Sequence, residues 1–254
     1  MKIAVVTGAS SGIGREFALQ IDRREALDEI WLIARRRERL EALGSELRAK
    51  ARPIALDLTE PESFEVYRKL LAAEKPEVRA LVNNAGFGVF GAFTERSLDQ
   101  QLKIIDLNDK APVAMAYLTL PYMGDGAEIY NVASSSAFQP VPYIAVYGAS
   151  KAFAMSFSRA LGMELKPRGI RSIAVCPHWC RTEFFDTAVT DDTVRYYNFF
   201  NRPEDVVAAA LRDMRRGRDV SICLKRLRFQ QLLAKLLPHS LVMRVWCWQQ
   251  KKPC

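Results

Sequence analysis

A strand, a glycine-rich turn and a helix follow one another at the start of the chain. The apolar strand Ile3–Thr7 ends at Gly8, and Gly12-Ile13-Gly14 opens the helix. Glycine lets a backbone turn tightly and lie close to a phosphate, while a helix N-terminus offers unpaired N–H groups at the positive end of its dipole. Because the glycines stand between the first strand and the first helix, the pattern indicates a dinucleotide-binding unit rather than an ordinary turn.

Short apolar segments alternate with longer helical patterns along the rest of the chain, which is typical of a parallel sheet covered by helices. The pattern predicts strands near residues 2–7, 30–34, 52–56, 78–83, 127–132, 171–176 and 218–222. It predicts helices near residues 12–25, 36–49, 61–73, 98–120, 146–166 and 203–214. With 254 residues and an apolar fraction of 49%, we expect one α/β domain with a Rossmann-like, doubly wound parallel sheet of about seven strands.

The net charge of +8 is concentrated at the C-terminal end of the chain. Residues 220–254 hold seven Lys and Arg and no Asp or Glu, so the rest of the chain carries about +1. A nearly neutral body argues against a nucleic-acid-binding protein. Met1-Lys2 runs directly into the first strand, and no apolar run is long enough to span a bilayer. We therefore expect a cytoplasmic protein.

Cysteine and histidine are too scattered to indicate a disulfide framework or a metal centre. The five cysteines are an odd number without a disulfide-like spacing. Cys176, His178 and Cys180 lie close together, but the other histidine, His239, is far along the chain. We expect no metal site.

The end of the second strand indicates which dinucleotide is bound. Ile30–Ala34 is followed by Arg35-Arg36-Arg37 rather than by an acidic residue. An arginine here pairs with an adenosine 2′-phosphate, which favours NADP(H) over NAD. Arg35 is the first candidate, with Arg36 as the alternative; a solvated basic turn at the start of a helix is the competing interpretation.

Other residues are candidates for the remaining cofactor contacts. The Ser10 and Ser11 hydroxyls lie in the glycine turn, and Asp57 ends the third strand, where it is placed to accept a hydrogen bond from the adenine amino group. The segment that ends the fourth strand is placed beside the adenosine ribose, and its candidate residues are Asn84, Ala85 and Gly86.

A tyrosine and a lysine four residues apart supply a candidate proton donor. Tyr147 and Lys151 share one face of the predicted helix. A tyrosine ordinarily titrates near pH ~10, and a nearby ammonium stabilises the phenolate and lowers that pKa. Tyr147 is therefore the candidate acid/base. Ser134 is placed to hold the substrate oxygen, and Asn108 to anchor a water chain from the lysine to solvent.

Together these motifs resemble those of the short-chain dehydrogenase/reductase family over roughly residues 1–222. The resemblance implies an Asn-Ser-Tyr-Lys tetrad and usually a dimer or tetramer, with Tyr147 and Lys151 also contacting the cofactor. The thirteen-residue spacing to the tyrosine selects Ser134 over Ser135. The family usually has Pro-Gly after the sixth strand and a threonine a few residues later, whereas this chain has Pro177-His178 and then Thr182. Pro177 and Thr182 are thus candidate cofactor contacts, and His178 is a departure.

The resemblance also implies a mobile substrate lid after the sixth strand, at residues 183–201. We accordingly divide the chain into a dinucleotide-binding catalytic domain, 1–222, and a basic amphipathic extension, 223–254. Six lid aromatics suggest either an apolar pocket wall for a steroid, bile acid or acyl chain, or ordinary packing under a loop. They are Phe184, Phe185, Tyr196, Tyr197, Phe199 and Phe200.

The extension has apolar residues at helical spacing on both sides of Pro238. It is expected to pack on the lid or a neighbouring subunit, with peripheral contact to an anionic membrane as the alternative.

The sequence predicts an NADP(H)-dependent oxidoreductase that transfers a hydride between nicotinamide and a carbonyl or secondary alcohol. The alternatives are a non-catalytic dinucleotide sensor and a membrane-associated adaptor.

Overall fold

The main sheet is parallel, and its order places the cofactor edge. The computed structural model describes residues 1–189, 191 and 193–253, and their side chains except those of Thr187, Lys225, Leu232 and Lys235. Within these residues seven strands pair in parallel in the order β3-β2-β1-β4-β5-β6-β9. They are β1 Lys2–Thr7, β2 Glu29–Ala34, β3 Lys50–Ala55, β4 Glu77–Asn83, β5 Glu128–Val132, β6 Arg171–Val175 and β9 Val220–Ser221. A second sheet pairs β7 Trp179–Cys180 with β8 Phe200–Asn201.

Helices cover both faces of the main sheet. Those before the lid are α1 Gly12–Arg24, α2 Arg37–Gly44, α3 Pro61–Glu74, α4 Leu98–Ile105, α5 Ala111–Thr119 and α6 Ala145–Leu165. Those from the lid onward are α7 Phe184–Ala188, α8 Pro203–Arg215, α9 Lys225–Leu236 and α10 His239–Gln250. This Rossmann-like architecture confirms the predicted fold class.

Alternate side chains along each central strand enter different cores. Val6 of β1 packs in one core with Phe17 of α1 and Val207 of α8. Its neighbour Val5 packs in the opposite core with Tyr67 of α3. Because both faces are buried, the strands read as continuous apolar runs, which is why the sequence located them well.

Two predicted helices differ from those observed. The helix predicted at 36–49 ends at Gly44, because the next segment is held against α1: Asp22 accepts hydrogen bonds from the backbone N–H groups of Arg48 and Ala49. The helix predicted at 98–120 contains a π-helical turn, Asp106–Lys110, between α4 and α5. Helical periodicity does not reveal such a turn, although π turns often mark functional sites.

The C-terminal helices pack on the lid. The Trp246 ring lies 6.4 Å from the Trp179 ring, and its Nε1–H donates to the carbonyl oxygen of Pro142 at 3.0 Å. Gln250 is buried, and its Oε1 accepts from the backbone N–H of Arg195 at 2.8 Å. The extension therefore covers the lid side of the molecule. No helix among the described residues is long and apolar enough to cross a bilayer.

A buried carboxylate ties α9 to the sheet edge. Asp213 of α8 has no exposed surface, and it accepts hydrogen bonds from Arg218 at 2.9 Å, Ser221 at 2.9 Å and Arg228 of α9 at 3.2 Å. Burying this charge is tolerable only because the partners neutralise it.

We expect Asp213→Ala to lower the free energy of unfolding by about 3 kcal/mol, because it leaves buried donors without their acceptor. Urea denaturation followed by circular dichroism measures this. The control is Asp219→Ala, since the Asp219–Arg159 pair is about half exposed on both sides and contributes at most about 1 kcal/mol. Equal losses for the two variants would contradict the anchoring role.

Candidate active site

The strand order reverses between β1 and β4, and a cleft opens at that point. Its volume is about 820 Å³, and it extends from the glycine turn after β1 to the Ser134–Ser136 turn, α6, the lid and the C-terminal helices. In an open parallel sheet the carboxyl ends of the strands on either side of such a reversal form a natural ligand crevice. All the predicted site residues except Gly14 and Asn108 line this cleft.

The glycine turn fits a dinucleotide phosphate group. Gly8 and Gly12 have φ values of +64° and +54°, which favour glycine. A Cβ on Gly14 would collide with the carbonyl oxygen of Gly8, so the helix approaches the strand closely. Ser11 caps α1 without a side-chain hydrogen bond, which leaves the N–H groups of the first helical turn available to an anion.

Arg36, rather than Arg35, contacts the hydroxyls of the turn. Its Nη2 donates to Ser10 Oγ at 3.0 Å and to Ser11 Oγ at 3.2 Å. Its Nη1 lies 2.7 Å from Glu183, which also pairs with Arg39. The hydrogen bonds from these two guanidinium groups lower the pKa of Glu183. Sequence reasoning missed Glu183. Its carboxylate lies between Arg36 and Arg39, so these two arginines form a site that binds an anionic group.

Arg35 and the strand-end residues have different surroundings. Arg35 is 77% exposed and lies 3.8 Å from Asp57, whose other oxygen accepts from Thr59. The Asn84 side chain donates to the carbonyl oxygens of Thr7 at 3.1 Å and Gly8 at 3.2 Å. Asn84 thus braces the glycine turn with its side chain.

The segment between the sixth strand and the lid contributes to the same cleft. Thr182 packs close to Gly12, since a Cβ there would lie 2.7 Å from Thr182 Cγ2. Its hydroxyl donates a hydrogen bond to the carbonyl oxygen of Cys180 and accepts one from the backbone N–H of Phe184. Pro177 also lines the cleft. The glycine turn and the segment that precedes the lid are therefore in direct contact at the cleft.

Tyr147, Ser134 and Lys151 converge at the other end of the cleft. Ser134 lies close enough to the Tyr147 phenol for its hydroxyl to lower the pKa of that group. Lys151 Nζ lies 5.7 Å from the centre of the Tyr147 ring and donates to the carbonyl oxygen of Val132 at 2.9 Å. The neighbouring Ser135 hydroxyl contacts His178 instead, at 2.9 Å. The structure thus brings Ser134, rather than Ser135, to the phenol.

The expected lowering of the tyrosine pKa is wrong for this structure. Burial raises the pKa of Tyr147 to about 12, although the hydrogen bond from Ser134 opposes the shift. Burial likewise lowers the pKa of Lys151 to about 8, against the raising effect of Asp109 and Cys176. Desolvation is the largest cause of both shifts, because burial disfavours the charged form of each group. Tyr147 is consequently held as a neutral phenol, a proton donor, at neutral pH.

Asn108 lies in the π-helical turn beside the lysine. It is 1% exposed. Asn108 Oδ1 accepts a hydrogen bond from the backbone N–H of Phe87, and Nδ2 donates to the carbonyl oxygen of Phe87 and to Ser150 Oγ, the latter at 2.9 Å. A Cβ on Gly86 would lie 2.9 Å from Asn108 Oδ1 and 3.4 Å from Lys151 Nζ. A side chain at position 86 would therefore crowd the Asn108 amide, and glycine leaves room for it.

Asp109, the next residue, was missed from the sequence. Burial raises its pKa to about 6, and Lys151 opposes that shift. Its Oδ1 has no hydrogen-bond partner among the residues that the structure describes. Its position directly after Asn108 was the only available signal.

His178 faces the cleft rather than the outer surface. Its Nε2 lies 2.5 Å from Asn198 Oδ1, an acceptor, so Nε2 carries the hydrogen and Nδ1 accepts from Ser135. Burial lowers the pKa of His178, which agrees with a neutral ring. The residue that replaces the usual glycine therefore ties the serine turn to the lid.

The lid aromatics divide between the two expected roles. Phe184, Phe185 and Tyr196 line the cleft. The Phe184 ring lies 5.4 Å from that of Tyr147. Tyr197 and Phe200 stack on each other at 5.8 Å. Some lid aromatics thus form a wall of the cleft, and others pack against each other within the lid.

Comparison with known proteins now assigns the family. The sequence model of the short chain dehydrogenase family matches residues 2–193. The chain belongs to the short-chain dehydrogenase family. This membership confirms the resemblance seen in the sequence and makes the chain a hydride-transferring oxidoreductase of the kind that acts with a nicotinamide dinucleotide.

Three similar proteins cover most of the chain. A very-long-chain 3-oxoacyl-CoA reductase of Anas platyrhynchos is 30% identical over 257 residues, covering 95% of this chain and 78% of that protein. A short-chain dehydrogenase from Sphingobium yanoikuyae in complex with NADPH is 30% identical, with a TM-score of 0.80 and 95% of each chain covered. The bulky-bulky ketone specific alcohol dehydrogenase from Comamonas testosteroni is 28% identical, with a TM-score of 0.75 and coverage of 91% and 90%.

Holding Lys151 inside the protein costs stability. We expect Lys151→Met to raise the free energy of unfolding at pH 7 by about 1–3 kcal/mol, because a neutral chain of similar length replaces a buried ammonium. Turnover of a carbonyl substrate should be lost at the same time.

The extra unfolding free energy of Lys151→Met over the wild type should shrink as the pH rises from 8 to 10.5. Folded Lys151 loses its proton near pH 8 while the unfolded lysine keeps it to 10.5, so in this window the wild-type unfolding free energy increases with pH. Urea denaturation of both proteins at the two ends of the window measures the difference. A Lys151→Met advantage that is independent of pH would contradict the lowered pKa.

Proposed function

We propose that this chain is a cytoplasmic NADP(H)-dependent oxidoreductase acting on a carbonyl/secondary-alcohol pair. The observation that carries the proposal is the arrangement of one cleft: a phosphate-binding turn with Arg36 at one end, and Tyr147 with Ser134 and Lys151 at the other. The catalytic domain, 1–222, supplies all of these residues.

Side chains of the protein supply the proton that the carbonyl oxygen takes up. A bound nicotinamide dinucleotide supplies or accepts the hydride. Tyr147, with its pKa of about 12, keeps its proton at neutral pH and donates it to a carbonyl oxygen. Ser134 holds the same oxygen, and the charged form of Lys151 stabilises the phenolate that remains. Asn108 keeps the neighbouring backbone in position, and reduction is the favoured direction.

The cofactor preference rests on Arg36. An adenosine 2′-phosphate would replace Glu183 as the anion beside this guanidinium and would also meet the Ser10 and Ser11 hydroxyls. Arg35, which is exposed near Asp57, is the second contact. The similar Sphingobium protein in complex with NADPH supports this preference.

The substrate is a hydrophobic carbonyl compound such as a steroid, bile acid or acyl chain. Aromatic rings surround the phenol, with Phe90 and Phe184 centred 6.4 and 5.4 Å from Tyr147. Such a wall favours a bulky apolar group beside the reacting carbonyl. The names of two similar proteins, a very-long-chain 3-oxoacyl-CoA reductase and a bulky-bulky ketone specific alcohol dehydrogenase, agree with this class.

The enzyme forms homodimers or homotetramers. Helices α4, α5 and α6 expose apolar side chains that a subunit contact would cover. They are Leu98, Leu102, Ile105, Val113, Tyr117 and Phe153.

Tyr147→Phe tests the reaction. Removing the phenolic proton should lower kcat by at least about 100-fold and leave NADPH binding intact, measured by ketone-dependent NADPH oxidation and by fluorescence titration. Tyr122→Phe is the control for loss of a tyrosine hydroxyl. Full turnover in Tyr147→Phe would contradict the mechanism, and NADPH binding without turnover in the wild type, over a panel of ketones, would favour a sensor.

Arg36→Ala tests the cofactor preference. It should raise the KM for NADPH at least about 10-fold, because charge-assisted hydrogen bonds to the 2′-phosphate are lost, and leave the KM for NADH unchanged. The control is Arg37→Ala, which removes an exposed arginine paired with Glu41. Wild-type preference for NADH, or equal changes for both cofactors in Arg36→Ala, would overturn the assignment.

A further inference from the structure

The two C-terminal helices expose several apolar side chains. On α9, Phe229, Leu233 and Leu236 lie at i, i+4 and i+7, with exposed fractions of 65%, 41% and 72%. The opposite side of this helix is buried, with Leu227 at 0% and Ala234 at 5%. This helix therefore packs on the body with one apolar stripe and presents a second one outward.

The second helix repeats the arrangement. Leu241, Val245 and Trp248 of α10 have the same spacing and exposed fractions of 45%, 45% and 78%, while Cys247 is buried. We call the outward residues of both helices the C-terminal apolar face; with Leu237 they are Phe229, Leu233, Leu236, Leu237, Leu241, Val245 and Trp248. Single exposed apolar residues are ordinary, but seven on two neighbouring helices indicate a binding surface.

Cations accompany this face and no carboxylate does. Arg226, Arg244 and Lys251 are exposed, and no carboxylate among the described residues forms an ion pair with them. Residues 220–254 contain no Asp or Glu. The surface is therefore both apolar and strongly positive, the combination that binds the interface of an anionic membrane.

The cleft reaches this face. Leu233, Leu237, Leu241 and Val245 line the cleft and are each more than two-fifths exposed. Phe229, Leu236 and Trp248 do not line it and are 65%, 72% and 78% exposed. The two helices therefore carry apolar side chains both in the cleft and outside it.

We propose that the C-terminal apolar face docks on an anionic phospholipid bilayer and that a long-chain carbonyl substrate passes from the bilayer into the cleft between α9 and α10. Membrane docking follows from the surface alone, whereas passage of the substrate rests on the proposed function. A second copy of the chain is a poor occupant, because symmetric pairing would bring two tails of seven positive charges together.

Vesicle sedimentation tests the docking. The full-length protein is mixed with vesicles of phosphatidylcholine alone or with added phosphatidylglycerol, and the pelleted fraction is measured at several salt concentrations. We expect binding to the anionic vesicles that weakens with salt, because surface charges are screened. No binding to either vesicle, or equal binding to both, would overturn the proposal.

Two sets of variants separate the apolar and the charged contributions. Arg226→Gln with Arg244→Gln should weaken partitioning about 30-fold, since each cation near an anionic surface contributes about fivefold. Phe229→Ser with Trp248→Ser should also release the protein. The controls are Arg68→Gln and Val66→Ser, exposed positions on α3. Unchanged binding in either double variant, or release by the controls, would contradict docking through this face.

Turnover tests the route of the substrate. The double variant Phe229→Ser with Trp248→Ser should reduce a short, water-soluble ketone at the wild-type rate. It should lose most of its turnover of a long-chain ketone dissolved in vesicles. Sedimentation velocity and thermal melting confirm that the variant keeps its oligomeric state and fold. Equal loss on both ketones would overturn the route, as would vesicle-borne turnover at the wild-type rate. Failure of the wild type to reduce any ketone would instead refute the proposed function and leave docking intact.

Discussion

Desolvation at the carboxyl edge of the parallel sheet is the constraint on which the site depends. Parallel strands end at one edge, so the turns after β1, β4, β5 and β6 meet there. The helices and the lid then cover the side chains at these turns, which leaves Lys151 buried and Tyr147 partly buried. Burial raises the pKa of Tyr147 and lowers that of Lys151, which leaves a phenol ready to donate and a lysine that titrates near neutrality.

Close approach of backbones makes this crowding possible. Gly86 leaves room for the Asn108 amide, and Gly88 lies against Tyr147, where a Cβ would be 2.7 Å from the ring. The π-helical turn presents Asn108 inward, where three hydrogen bonds fix its amide. The cost of burying these polar groups is offset by their mutual hydrogen bonds.

The lid and the C-terminal helices form one wall of the cleft. Trp179 and Trp246 pack on each other, and Gln231 of α9 donates to the carbonyl oxygen of Ser135 at 3.4 Å. His178 connects the same serine turn to Asn198 of the lid. The lid and the C-terminal helices thus contact the turn that carries Ser134, so changes in these helices can be transmitted to that turn.

Local pattern was sufficient for much of this protein. The glycine turn, the strands and the Tyr147–Lys151 spacing were readable because each depends on residues near one another in sequence and on a fixed helical or strand period. Contacts between distant segments were not readable. The contacts of Arg36 with Ser10, Ser11 and Glu183 join segments that are distant in sequence, and the pKa of Tyr147 depends on how far the surrounding elements bury the phenol. The sequence by itself determined the fold and the candidate reacting groups; the tertiary structure decided their protonation and partners, because solvent exclusion is a property of the packed chain.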